Sequence, residues 1–412
     1  MKKALLSIAL LITAYQFAAA QLSPEITSWV INPGSDTGYA GILSNVQTIQ
    51  YSTNNVYVSC SCIPGYSIGP WNGNPNIPVN QNFVYKITLS PQKNTGTLTA
   101  VGLGHIGVWS NGVSIFNADD GMTYNNQGVW HRNALVWEGI SFDNCLGHPQ
   151  QQGEYHHHVN PKCLYDDTDS THHSPIIGYA FDGFPVYGAY GYADTNGTGP
   201  IVRMTSSYQL RNITVRDTLP DGTAASSAGP PVNTTYPIGS FIQDYIFVPQ
   251  SGSLDNHNGR FCVTPEYPGG TYAYFVSIDS TRYPVYPFVL GPTYYGVVTT
   301  GNTGPGGGHV TISETTTVYN PATGTNDVKP QIKYKVVPNP AGDYAFIYFD
   351  PASANNIKGT LYDVNGQLLQ TINNLQPSIA YTLDLSKYST GTYFLHLETA
   401  DETVVEKILK VK

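Results

Sequence analysis

Gly359-Thr360-Leu361-Tyr362-Asp363-Val364-Asn365-Gly366 is the stretch from which the rest of the chain is read. It alternates with a period of two, as a strand with one buried face does, and it ends in Asn-Gly, a strong short-range hairpin signal. The runs Tyr344 to Phe349 and Thr392 to Leu397 have the same character, and Ser389-Thr390-Gly391 supplies a turn before the second. Together they predict a small β-sandwich over residues 336–412, with Phe346, Tyr348, Leu361, Leu383, Phe394 and Leu397 as its core.

Upstream, residues 301–335 contain Gly304, Pro305, Gly306, Gly307 and Gly308, a Thr-rich segment, and then Asn320, Pro321, Gly324, Asn326 and Pro330. Such a composition predicts a linker. Residues 21–300 then form the main domain, long for a single domain but within the range of all-β architectures. Charged residues make up 11% of the chain where about 25% is usual, while Tyr (31), Gly (41) and Pro (29) are abundant. Gly and Pro interrupt helices, and Tyr and Thr suit a pleated, half-buried surface, so the expected class is all-β throughout.

The first 20 residues begin with Lys2 and Lys3, continue through an apolar run from Ala4 to Thr13, and reach Ala18, Ala19 and Ala20 before Gln21. That order predicts a secretory signal peptide and a mature chain starting at Gln21. No later segment is long or apolar enough to span a bilayer, so the mature chain is expected to have no transmembrane span. Removal of Lys2 and Lys3 takes the formal charge from −9 to −11. The remaining Lys and Arg are scattered, which argues against nucleic acid as a partner.

The cysteines are Cys60, Cys62, Cys145, Cys163 and Cys262, in a chain bound for a compartment where disulfides persist. Cys145 and Cys163 bracket a cluster of histidines and are the preferred pair. One of Cys60 and Cys62 is expected to join Cys262. A zinc-thiolate site is disfavoured, because the repeated C-x-x-C element is missing.

Six of the eleven histidines fall between residues 148 and 173: His148, His156, His157, His158, His172 and His173. On a strand, His156 and His158 share one face with Cα atoms roughly 6.5 to 7 Å apart, close enough to share a metal ion. A third ligand is expected from His148 or His173, or from His257 or Asp182. Imidazole suits copper and zinc, the metals expected here, and a three-histidine site with an open position also permits hydrolytic or oxidative chemistry. Asp182 stands before Gly183, as either a carboxylate that orients an imidazole or a simple hairpin turn. Tyr155 is a candidate support for the site and, with Tyr179 and Tyr187, for the wall of a cleft.

Three functions therefore stand open: a surface metal-binding protein, a metal-dependent extracellular enzyme, and an adhesin or glycan-binding protein with structural histidines. Phosphate-loop, nucleophile-elbow and zincin motifs are missing.

Two resemblances follow. Pro338-Asn339-Pro340, Leu361-Tyr362-Asp363-Val364-Asn365-Gly366-Gln367-Leu368, Gly391-Thr392-Tyr393-Phe394-Leu395 and the terminal Lys407, Lys410 and Lys412 together resemble the type A sorting domain of the type IX secretion system of Bacteroidetes-type bacteria. The resemblance implies that residues 336–412 are read by the outer-membrane translocon and removed, with attachment of the protein to surface glycolipid. The segments Asp143 to Pro149, Gly153 to His158, Pro161 to Leu164 and His173 to Gly188 resemble the YHYH domain family. So do Gly107 to Asn117, Asp255 to Arg260 and Tyr267 to Phe275, which extends the likeness over roughly residues 100–290. One departure stands in the signature, where His157 replaces a Tyr.

Overall fold

The computed structural model describes residues 22–32, 34–304, 306–321, 332, 334–349, 357–375, 380–399 and 403–412. The expected signal peptide lies outside the described residues. The chain divides into two compact units, Met1–Asn320 and Pro321–Lys412. Both are built from strands, and the chain is all-β. Among the described residues no helix is long and apolar enough to cross a membrane.

Among the described residues two large sheets, beside three two-stranded ones, form the first unit. The smaller is antiparallel, with Thr317–Val318, Val46–Tyr51, Asn55–Cys60 and Phe83–Thr88 in that spatial order. The larger has eight strands, ordered Gly259–Cys262, Thr271–Phe275, Pro185–Tyr187, Ile176–Ala180, His105–Trp109, Ser114–Phe116, Tyr155–His157 and His148–Pro149. Its central strands are buried along their whole length, because both faces are covered. On one face Val108, Tyr179, Tyr187 and Phe275 meet Val56, Val58, Phe83 and Tyr85 of the small sheet. On the other, Trp109, Ile115, Ile177 and Tyr272 pack under the segment that carries Tyr286, Phe288 and Tyr294.

The segment expected to be linker is in part seated on this unit. Thr317 and Val318 pair with Tyr51 and Gln50, and Glu314 accepts hydrogen bonds from Tyr57 Oη (2.5 Å) and Asn55 Nδ2 (2.8 Å). A Gly- and Thr-rich composition fits an edge strand as well as a connector. Residues 322–331 lie outside the described residues.

Two sheets also make the second unit. Tyr334–Val337, Tyr344–Phe349 and Tyr381–Asp384 form one; Leu368–Leu375, Ile357–Tyr362, Gly391–Glu398 and Thr403–Lys410 form the other. The expected turn forms at Asn365-Gly366, where Gly366 takes φ +79° and donates to Asp363 O at 3.1 Å. The expected core needs correction in its phase. Leu361, Leu383 and Leu397 are buried, but Phe346 and Tyr348 face outward and Phe394 is half-buried. Ala345, Ile347, Phe349, Tyr393 and Leu395 fill the interior instead. Tyr344–Phe349 is apolar at every position, so a period of two does not say which parity turns inward.

Cys145 and Cys163 are joined as a disulfide. The second expected bridge does not form: Cys60, Cys62 and Cys262 are free and buried. Cys60 Sγ instead contacts Gly112 O (3.2 Å) and Cys62 Sγ contacts Tyr155 O (3.1 Å), so each thiol is held by a backbone acceptor.

Candidate metal centre

The short strand Tyr155–His157 sits between two neighbours and fixes the site. It runs parallel to Ser114–Phe116, with Ser114 beside His156, and antiparallel to His148–Pro149, with His148 directly opposite His156. Residues directly opposite on paired strands project from the same face, as do residues two apart on one strand. His148, His156 and His158 therefore converge, all of them buried. One ring nitrogen from each lies within 4.8 Å of the other two.

The turn before His148 is built to hold this pairing. Asp143 Oδ1 accepts from Cys145 N (2.8 Å) and Gly147 N (3.2 Å), and the Cys145–Cys163 bridge closes the loop that carries all three histidines. Gly147 is required for its lack of a side chain, since a Cβ there would stand 2.4 Å from Tyr155 Oη and 2.9 Å from His157 Nε2.

Each imidazole of the triad has its Nδ1 committed to the protein. His156 Nδ1 is 3.1 Å from Glu154 O and His158 Nδ1 is 2.6 Å from Asn117 O. A carbonyl only accepts, so both Nδ1 atoms carry hydrogen. The Ser141 hydroxyl donates to Glu138 O (2.8 Å) and thus receives the Nδ1 hydrogen of His148 at 2.7 Å. In the neutral rings the three Nε2 atoms are then bare lone pairs turned toward one another, with His156 and His158 at 3.0 Å.

Burial works against a proton on two of the rings. It pushes His148 down to about 4, aided by His158, and His156 well below the ordinary histidine value, aided by His148 and His158. Phe116 stacks on His156 at 3.8 Å, and Phe142 packs edge-on against His148 at 4.8 Å.

A fourth group, Glu138, was not among the candidates read from sequence. It follows the one-turn helix Ala134–Trp137, whose first turn is capped by Asn133. Its Oε2 stands 3.2 Å from His158 Nε2 and 3.8 Å from His148 Nε2. Burial alone would raise its carboxyl pKa, but the hydrogen bond and charge that His158 supplies when protonated, with a smaller contribution from His148, outweigh burial and lower it. The only hint in the sequence is a lone acid within the apolar run Ala134 to Ile140.

The remaining candidates lie elsewhere. His173 packs against Tyr187 and Tyr192, with its Nδ1 2.8 Å from Ser174 O. His257 Nδ1 is 2.8 Å from Thr293 O. Asp182 is buried at the turn closed by Gly183 N to Ala180 O, and orients no imidazole. It accepts from Tyr274 Oη (2.6 Å) and Gly296 N (2.8 Å), and burial draws its carboxyl up to about 6. Tyr155 points to the opposite face of its strand and donates to Asp143 Oδ2 at 3.0 Å. His157 shares that face, between Trp109 and Tyr155.

The triad opens on a cleft of about 690 Å³. Trp137, Ile140, Asn72, Gln150 and Gln151 contribute to its lining, whereas Tyr155, Tyr179 and Tyr187, expected as its walls, are buried in the core. Three imidazoles and a carboxylate beside such an opening could hold one ion and leave room for an exogenous ligand.

Residues 84–287 match the family model described as YHYH protein. The chain carries a YHYH domain. Its signature segment, the strand Tyr155–His157 and the residue after it, places His156 and His158 on the cleft, and His157 is turned into the core. Residues 335–411 match the secretion system C-terminal sorting domain. The YHYH chain is thus a secreted or cell-surface protein handled by the type IX secretion system. No curated protein matches it. Among solved structures it is similar, at 10% identity and a TM-score of 0.18, to PorZ, a surface component of the type IX secretion system of Porphyromonas gingivalis. The alignment covers 89% of this chain and 51% of that one, so this chain spans about half of PorZ.

Proposed function

We propose that the YHYH domain binds one transition-metal ion, copper or zinc, through Nε2 of His148, His156 and His158, with Glu138 as a fourth, cleft-side ligand. The observation that carries this reading is the commitment of all three Nδ1 atoms to acceptors, with Nε2 left to face inward. An ion about 2.0–2.1 Å from each nitrogen sets its ligands about 3.0–3.4 Å apart. The 3.0 Å between His156 and His158 falls at that spacing. The cleft favours a metal-dependent extracellular enzyme as the second reading, in which Glu138 leaves the fourth position open and a ligand reaches the ion from solvent.

The same proposal takes residues 1–20 as a signal peptide, 21–300 as the metal-binding domain, 301–335 as a linker whose first part, through Asn320, is seated on that domain, and 336–412 as a tail exchanged for surface glycolipid in a Bacteroidetes-type cell. Elemental analysis of chain purified without chelator or affinity metal tests the metal assignment. Near-stoichiometric copper or zinc is expected in the parent, and none in the His156→Ala/His158→Ala variant. Parent protein that neither contains nor takes up either metal would sink it.

A further inference from the structure

The cleft in front of the triad has a lining that selects among ligand classes. Its described lining includes no Lys or Arg, but it does include the carboxylates of Asp119, Asp120, Glu138 and Glu154. These four acids outnumber the charge of a single divalent ion, so the field in the cleft opposes phosphates, sulfates and uronates.

The carboxylate oxygens are largely engaged within the protein, by contacts that leave the field in place but use up acceptors. Glu154 meets His105 Nδ1 at 3.0 Å and Gln150 Nε2 at 2.8 Å; Asp119 meets His131 Nδ1 at 2.6 Å; Glu138 faces His158. A cationic peptide would thus find few free carboxylates. Asn72 and Gln151, both exposed, bring amides that offer donors and acceptors together. Beside them the segment after Ala134–Trp137 brings Ile140, 80% exposed, and Trp137 brings an indole whose Nε1 is already bonded to Ser240 O at 2.7 Å and one face of which is covered by the Arg132 guanidinium at 4.2 Å, so that the opposite face and the edge are what it can offer. An apolar side chain held in water next to free amides suits a molecule with C–H faces and many hydroxyls.

We infer that the cleft binds a neutral glycan chain, laid across Ile140 and Trp137 and hydrogen-bonded by Asn72 and Gln151, at the mouth of the His148–His156–His158 site. The inference rests on the metal-site reading for what the glycan meets at the cleft floor. Its recognition groups are distinct from the proposed ligands.

Full-length chain loaded with zinc is titrated with laminarin, xylan and galactomannan, and in parallel with alginate, polygalacturonate and poly-lysine. Binding to at least one neutral polymer is expected. It should weaken at least tenfold in Ile140→Asp and in Gln151→Ala, exposed positions that leave zinc content and melting temperature at the parent's values. Equal or tighter binding of either polyanion or of poly-lysine overturns the inference. So does a zinc-loaded parent that binds none of the neutral polymers, or one whose binding ignores both substitutions. Zinc content and the same titrations on chelator-treated chain are read separately: a parent without zinc counts against the metal reading, and the neutral-polymer arm still decides the ligand class.

Discussion

His156 Nε2 and His158 Nε2 face each other across 3.0 Å, while the opposite nitrogen of each ring is held by a backbone carbonyl. Two lone pairs so placed repel unless a cation lies between them, and burial disfavours a proton on His156. A metal ion relieves that repulsion in the folded state alone. Adding zinc or copper should therefore raise the melting temperature. A ligand at a hundredfold excess over its dissociation constant stabilises by about 2.7 kcal/mol, which is several degrees for a domain of this size. Differential scanning fluorimetry should show that rise in the parent and in His173→Ala, and none in His156→Ala.

Ser141 offers a finer test, because it acts on the metal only through His148. Its hydroxyl accepts the Nδ1 hydrogen of His148 and so selects the tautomer whose Nε2 faces the site. Loss of such a supporting contact typically costs 10–100-fold in metal affinity. Ser141→Ala should weaken zinc by about that factor in a competition titration with a chromophoric chelator. Unchanged affinity would show that packing against Phe142 suffices to aim the ring.

Acid should unfold this domain earlier than its low charge content suggests. His148 is pushed down to about 4 and His157 to about 3, chiefly by burial, from the ordinary histidine value of 6.5. With folded-state pKa values depressed, the unfolded chain binds more protons between those values and 6.5. Stability is then complete above pH 6.5 and is lost progressively as pH falls toward 4. Chemical denaturation of metal-free chain at pH 7, 6, 5 and 4 measures the slope. His157→Phe should flatten it by one histidine's share, because it removes one buried ring whose charged form burial disfavours.

How much of this is visible in the sequence depends on how local each feature is. The Asn365-Gly366 turn and the shared face of His156 and His158 depend on neighbours within a few residues, and both can be read directly. His148 could not be told apart from His173 or His257, since only the pairing of His148 with His156 across two strands brings it in. Glu138 was missed for a related reason: its helix is a single turn, too short for a periodic pattern, and its partner His158 is twenty residues away. Phe346 and Tyr348 misled because they are larger than Ala345 and Ile347, yet the register with Tyr334–Val337 and Tyr381–Asp384 decides which parity is buried.

The Cys145–Cys163 bridge should couple redox state to the metal. His148, His156 and His158 all lie inside the loop it closes, which has a sequence separation of 18. A bridge across a loop of about that length stabilises by about 3 kcal/mol, mainly by restricting the unfolded chain. Part of that restriction applies to the site itself, because the turn Asp143–Gly147 that presents His148 is tied through Cys145 to the segment following His158. Cys145→Ser/Cys163→Ser protein should thus melt several degrees below the parent and also bind zinc more weakly. The second effect should persist at temperatures where the variant is still folded by circular dichroism. Weaker zinc binding that appears only as the variant unfolds would mean that the bridge supports the domain and leaves the site geometry untouched.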